Sequence, residues 1–147
     1  REAPVPEPAD LEAGLVTYLK ADADLAALLG VRVFGGELPA AETEHMPRKA
    51  VVLRASGGVS LASESHVEHD TQRIDVFAFG ETPREAARVL RTAALAMRRL
   101  RRSVHAGALL HWANPASGPN SGREPQTEWP RHFQSFQVMH GLVAIEE

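Results

Sequence analysis

The clearest pattern of apolar and polar positions follows Phe79. Thr82 suits a helix cap, Pro83 suits the first turn, and Glu85 suits the third position of a capping box. Because each helical residue turns the chain by about 100°, apolar residues at intervals of three and four share one face. Those residues are Ala86, Leu90, Ala93, Met97 and Leu100. The sequence predicts a long helix from Thr82 through Arg102, packed on a sheet.

Shorter patterns predict the strands of that sheet. Residues 49–58 are rich in Val and Leu and end in Gly-Gly, and residues 71–79 alternate apolar with polar positions. Both patterns are typical of strands, and residues 107–113 and 132–145 supply two more. Residues 57–70 are polar and fit either a strand extension or a loop.

Two helices are predicted before the first of these strands. One begins at Asp10, and a short second one, capped by Asp22 or Asp24, ends at Gly30. Residues 31–36 suit a short strand or turn. Since the strands join mainly by short or polar links, the order indicates an α+β domain. We expect a mostly antiparallel or mixed sheet, packed on one face by the long helix and the N-terminal helix pair.

Length and composition exclude several classes of protein. The chain has 147 residues, which fits a single domain over residues 1–147. It has no cysteine, which excludes disulfides and thiolate metal sites, and no apolar run long enough for a membrane span. Residues 1–9 are predicted to be an extended, proline-rich lead-in rather than a secretory signal. Residues 114–126, dense in Gly, Pro, Ser and Asn, are predicted to be a flexible loop.

A row of arginines is predicted on the face of the long helix that points away from the sheet. We call it the arginine stripe, and it contains Arg84, Arg88, Arg91, Leu95, Arg98 and Arg102. Two interpretations stay open: a solvated face suited to the helix dipole, or a contact with acidic groups of another chain. Leu95 among the arginines favours a contact. Because the net charge is -3, an identical copy offers acidic surface and is a more economical partner than DNA.

Candidate catalytic groups are few. His66, Glu68 and His69 lie close together, but at the spacing i, i+3 rather than the i, i+4 of a metal-binding helix. Four further histidines have no spacing that requires them to join: His45, His111, His132 and His140. Trp112 and Trp129 suit core or interface positions. The sequence does not predict an enzyme. A nucleic-acid module using the arginine stripe and a small metal-dependent hydrolase remain the alternatives, and the net charge counts against the first.

The whole pattern resembles the tail-completion, or tail-terminator, proteins of long-tailed bacteriophages and gene transfer agents. "LVTYLKADADLAALLGVRVFGGELP" resembles the opening helix, its break and a short strand. "KAVVLRASGG" resembles the strand before a polar segment, and "RIDVFAFGETPREAARVL" resembles the strand, turn and helix. "HFQSFQVMHGLV" resembles the terminal strand. The similarity runs from about Leu11 to Val143.

The resemblance implies a structural subunit without a cofactor. It implies a ring of identical copies, commonly a hexamer, that caps the tail tube, stops its polymerisation and joins it to the head-side connector. The partners are other copies, the tube protein and the connector or stopper, with DNA only passing through the lumen. The protein is expected in the tail of a virion or phage-like particle assembled in the host cytoplasm, without a membrane. We further expect the polar segments 57–70 or 114–126 to contact tube or connector.

Overall fold

The computed structural model describes residues 7–60 and 68–145. The helices there are α1 (Leu11–Lys20), α2 (Ala23–Leu29), α3 (Ala40–Thr43) and α4 (Pro83–Arg98). The strands are β1 (Val33–Gly35), β2 (Ala50–Ala55), β3 (His69–Phe79), β4 (Ser103–His105), β5 (Ala108–Pro115) and β6 (Arg131–Gly141). They form one sheet in the order β1-β2-β3-β6-β5-β4. Only the β1–β2 pair is parallel among these named strands, so the predicted α+β fold with a mixed sheet is confirmed.

The two N-terminal helices begin at aspartates, as predicted. The carboxylate of Asp10 accepts a hydrogen bond from the Ala13 N–H at 3.0 Å. Asp22, rather than Asp24, caps α2 by accepting from the Leu25 N–H at 3.0 Å. These bonds satisfy N–H groups that have no partner inside a first helical turn. Gly30, at φ 62°, ends α2, since a residue with a side chain is strained there.

Helix α4 begins where predicted but ends earlier. The Thr82 hydroxyl accepts from the Glu85 N–H at 3.1 Å, and the Glu85 carboxylate accepts from the Glu81 N–H at 3.2 Å. The helix ends at Arg98, so its predicted extension to Arg102 was wrong. No Gly or Pro marks this end in the sequence. Leu100 stays buried and keeps the apolar period, although the backbone has already left the helix.

The core lies between the sheet and helices α1, α2 and α4. The predicted inner face of α4 is confirmed, because Leu90 and Leu100 are 2% exposed and Ala86, Ala93 and Met97 are 0% exposed. Phe136 of β6 and Ile74 of β3 are paired in register and fully buried beneath the helices. Each large apolar side chain buried in this way contributes about 1.5–3 kcal/mol.

The other face of the sheet carries half-buried aromatic and charged side chains. Phe77 and Phe133 are cross-strand partners with ring centroids 5.5 Å apart. The guanidinium groups of Arg54 and Arg131 lie over the Phe77 ring, 5.4 Å and 4.8 Å from its centroid. Trp129, predicted as a core or interface anchor, is half-buried. This face is therefore partly covered by its own arginine side chains.

Several boundaries differ from the prediction. Strand β2 ends at Ala55, β3 begins at His69, and β6 ends at Gly141 rather than Ile145. Helix α3 and strand β4 were not predicted, since four and three residues are too few to show a period. Such short elements are fixed by their neighbours in the fold.

The predicted loop 114–126 is tied to the sheet over part of its length. Its first two residues belong to β5, which runs to Pro115. The Ala116 N–H then donates to the Ser135 carbonyl at 2.8 Å. Asn120 and Phe133 exchange two backbone hydrogen bonds of 2.8 Å and 2.9 Å. The segment thus continues along β6, and its flexibility stays a prediction.

Candidate functional site

The outer face of α4 carries most of the arginine stripe as predicted. Arg84, Arg88, Arg91 and Arg98 are exposed, and Leu95 between them is 57% exposed. They follow the helical spacing on the side opposite the buried face of α4. Because Thr82 sets where the helix begins, it also sets the direction of these side chains. The structure brings these five side chains onto one surface.

Arg102 does not belong to that surface. It lies beyond the end of α4, just before β4, and so leaves the helical row. It lines a groove of about 480 Å³ at another corner of the fold, together with His69 and Leu109. The prediction that Arg102 continues the stripe was wrong, because the row exists only while the backbone remains helical.

The four helical arginines have no carboxylate partner within the part of the chain that is described. The ion pairs there involve Arg48 with Glu42, Arg73 with Asp75, and Arg99 with Asp22 and Asp24. Arg99 lies 3.2 Å from Asp22 and 3.6 Å from Asp24, so the helix end is tied to the cap of α2. Among the described residues, the stripe is therefore free to meet solvent or an outside partner.

A cationic groove runs along the first half of the stripe. Its volume is about 320 Å³. It is lined by Leu28, Lys49, Thr82, Arg84, Glu85, Arg88, Val89 and Arg91. Glu85 is the acidic residue in this lining, and its carboxylate already accepts the Glu81 N–H. The groove therefore suits an acidic side chain from outside.

Lys49 and Leu28 were missed by sequence reasoning. They lie far from α4 in the chain, at the start of β2 and near the end of α2. The packing of both α2 and β2 against α4 brings them to the groove. The positive charge of the stripe also affects His132 on the sheet. Burial lowers the pKa of His132, and the charge of nearby Arg91 lowers it further.

The polar segment 57–70 is described at both ends, and residues 61–67 lie outside the described part. Before the gap, the Ser56 N–H donates to the Arg73 carbonyl at 2.9 Å. The Gly57 carbonyl accepts from the Arg73 N–H at 2.9 Å. Residues 57–60 therefore run beside β3 but lie outside any strand, whereas His69 and Asp70 at the other end of the segment belong to β3.

The proposed histidine metal cluster finds no support in the residues described. His66 lies outside them, and the backbone carbonyl of Glu68 accepts from the Leu142 N–H at 2.8 Å. His69 contacts His111 instead, with 3.0 Å between His69 Nδ1 and His111 Nε2. Across residues 7–60 and 68–145, no three His, Asp or Glu side chains are grouped so as to hold a metal.

The other histidines are dispersed or structural. His45 is exposed near α3, and His132 lies on β6 within the field of Arg91. His140 is buried, and its Nδ1–H donates to the Gly141 carbonyl at 2.9 Å. Burial lowers the pKa of His140, while the Gly141 carbonyl and Asp70 oppose that shift. Of the four additional histidines, His111 and His140 come near His69.

A membrane-spanning protein with helical spans would need a long, apolar helix. Among the described helices, none combines the length and apolar character of a membrane span.

Comparisons with known proteins agree on the fold and give a family. Residues 13–141 match the family model described as "Tail completion protein gp17". A solved chain from the "Virion of native gene transfer agent (GTA) particle" is similar with a TM-score of 0.64 and 17% identity. That match covers 89% of this chain and 94% of the other. No curated protein matches the chain.

Proposed function

Since the chain belongs to the Tail completion protein gp17 family and has a structural role in tail assembly, we propose that it terminates the tail tube. In this proposal, copies of the chain form a ring at the head-proximal end of the tube. The ring stops polymerisation of the tube and presents a surface for the head-side connector or stopper. The role is structural, without catalysis or a cofactor.

The observation that carries the proposal is the family match over residues 13–141, which includes every strand of the sheet. The gene transfer agent particle supports it further, because its chain has the same fold over nearly its full length. We therefore propose that the protein resides in a virion or phage-like particle. Its ring is expected to contain six copies, with DNA passing through the lumen.

We propose that the part of the arginine stripe on α4, without Arg102, is a subunit contact within this assembly. Arg84, Arg88 and Arg91 line a cationic groove, and Leu95 and Arg98 extend the same exposed face. A guanidinium group pairs with carboxylates through two parallel hydrogen bonds, so an acidic surface of another copy is a suitable partner. A contact between two different surfaces of identical copies closes into a ring or continues as a filament.

Tube capping tests the proposed function directly. Purified tube protein is polymerised with and without this chain, and tube lengths and tube ends are followed by electron microscopy. We expect tubes that stop growing and carry a ring at one end. Tubes that grow equally long, with bare ends, at a large excess of the chain would contradict tube termination.

The exposed arginines also support a second candidate function, which is nucleic-acid binding. A groove whose guanidinium groups have no carboxylate partner among the described residues suits phosphate as well as carboxylate. Retention on DNA that weakens steeply with salt, and that is lost on reversing Arg88 and Arg91, would support a nucleic-acid module. Retention that is equal in both proteins would count against it.

A further inference from the structure

The side chains of His69 and His111 meet across a strand that lies between their own strands. In the sheet, β6 separates β3 from β5, so β3 and β5 share no backbone hydrogen bonds. His69 Nδ1 and His111 Nε2 are nevertheless 3.0 Å apart, and the two rings stand edge to face with centroids 4.8 Å apart. This contact is a side-chain bridge over β6.

A local irregularity in β5 aims His111 toward His69. The pairing of β5 with β6 shifts between Leu110 and Trp112, which leaves His111 as the extra residue of a β-bulge. A bulge re-aims a side chain on the sheet surface. On β6, the partner of His69 is Gly141, and a Cβ there would lie 3.8 Å from His69 Nδ1. That distance is an ordinary van der Waals contact, so Gly141 lies directly beside the His69 ring.

The bridge requires that at least one ring be neutral. In a hydrogen bond between two imidazoles, one nitrogen donates its proton and the other must be bare. If both rings were protonated, both facing nitrogens would carry protons and the two positive charges would repel. The bridge therefore exists in the neutral and singly protonated states and is broken in the doubly protonated state.

The positive groups around His69 and His111 oppose the binding of a second proton by the pair. Burial lowers the pKa of His111, and His69, Arg102 and His140 lower it further. Arg102 reaches the pair from the link between α4 and β4, and His140 reaches it from β6. On β3 and just before it, Asp70 and Glu68 are the acidic groups near the corner. The C-terminal segment that lines the adjoining groove, residues 143–145, is apolar.

We propose that the His69–His111 pair is a proton-sensitive latch that holds the start of β3 to β5. Near neutral pH the bridge is closed and the start of β3 is fixed at the corner where the Leu142 N–H also meets the Glu68 carbonyl. On acidification the second proton opens the bridge, and the corner loosens while the helix-covered core stays packed. The latch does not depend on the proposed role in the tail.

Nuclear magnetic resonance of the imidazole nitrogens tests the latch in the unmodified protein. Near pH 8 we expect one bare and one protonated nitrogen at the facing positions, with a chemical shift typical of a hydrogen bond. As the pH falls, that signature and the slow hydrogen exchange of the amides at residues 69–72 should be lost together. Facing nitrogens without the hydrogen-bond signature at any pH would overturn the proposal.

His69→Gln supplies the second arm. Removal of the neighbouring imidazole should shift the titration of His111 upward, toward that of an ordinary histidine. His132→Gln is the matched control, because His132 also lies on the sheet but near Arg91. It should leave the titration of His111 unchanged. An equal shift in both variants, or no shift with His69→Gln, would contradict coupling between the two rings.

Discussion

The outer face of α4 carries permanent positive charge, whereas the charge at the corner where His69 meets His111 depends on pH. On α4, Arg84, Arg88 and Arg91 are exposed and have no carboxylate partner in the described part of the chain. Arginine does not lose its proton in proteins. Its charge must be met by solvent or by another molecule.

At the corner, His69 and His111 are close enough to share a hydrogen bond, and one proton can leave. Histidine titrates near neutral pH, so the corner adjusts its own charge. The stripe therefore suits a permanent external contact, whereas the corner suits a response to pH. Substitutions on each surface test this difference.

The largest effect is expected from reversing the stripe. The triple change Arg84→Glu, Arg88→Glu and Arg91→Glu should abolish ring formation, because the proposed acidic partner surface would be repelled. The monomer should keep its helical circular dichroism and unfold cooperatively, since these side chains are exposed. Light scattering and electron microscopy measure the assembly.

Arg102→Glu is the matched control for that reversal, because Arg102 lies off the helical row. It should leave ring formation intact. If both reversals abolish rings equally, the contact is not confined to α4. If neither does, the stripe is a solvated face.

Two leucines on α4 test the division between its faces. Leu90 is 2% exposed and Leu95 is 57% exposed. Leu90→Ala should lower the free energy of unfolding by about 2–5 kcal/mol, because it leaves a cavity under the helix. Leu95→Ala should change it by less than about 0.5 kcal/mol and instead weaken assembly. Urea unfolding of both variants decides, and similar losses of stability would contradict the assigned faces.

Stability should fall as the solution is acidified below neutral pH. The pKa values of His111, His132 and His140 are lowered in the fold, mainly by burial. The unfolded chain then binds more protons, so this stabilisation is complete above the ordinary histidine pKa of about 6.5 and is lost as the pH falls below it. Urea unfolding at a series of pH values should show this slope. The slope should be smaller in His111→Gln, and an unchanged slope would contradict the assignment.

A small gain in stability is expected from a change in the turn between β4 and β5. Ala106 and Gly107 form a two-residue turn with φ of 50° and 78°. Asn before Gly is preferred in such turns, whereas alanine is strained at positive φ. Ala106→Asn should therefore raise the free energy of unfolding by about 1 kcal/mol. An unchanged or lower thermal midpoint would show that the turn is not strained.

Elements with a long period or a chemical cap could be predicted from the sequence. Asp10, Asp22, Thr82 and Gly30 mark helix ends through side-chain or backbone chemistry that the sequence displays. The inner and outer faces of α4 follow from its period. The end of α4 could not be predicted, because Arg99 leaves the helix without a Gly or Pro signal.

The candidate sites were predictable only in part. The stripe from Arg84 to Arg98 lies on one helix, so local spacing is sufficient to find it. Lys49 joins the groove, and His111 joins His69, through contacts between segments distant in the chain. The bridge also depends on a register shift in β5 that no spacing rule reveals. Contacts set by strand register and helix packing need the folded chain.

The mass of the protein in solution tests the central claim most directly. Light scattering is measured at low and high salt, with the chain alone and mixed with purified tail tubes. We expect a multi-subunit ring, formed either alone or at tube ends, that dissociates as salt screens the arginine stripe. A monomer at every salt concentration that leaves the tubes unoccupied would contradict it.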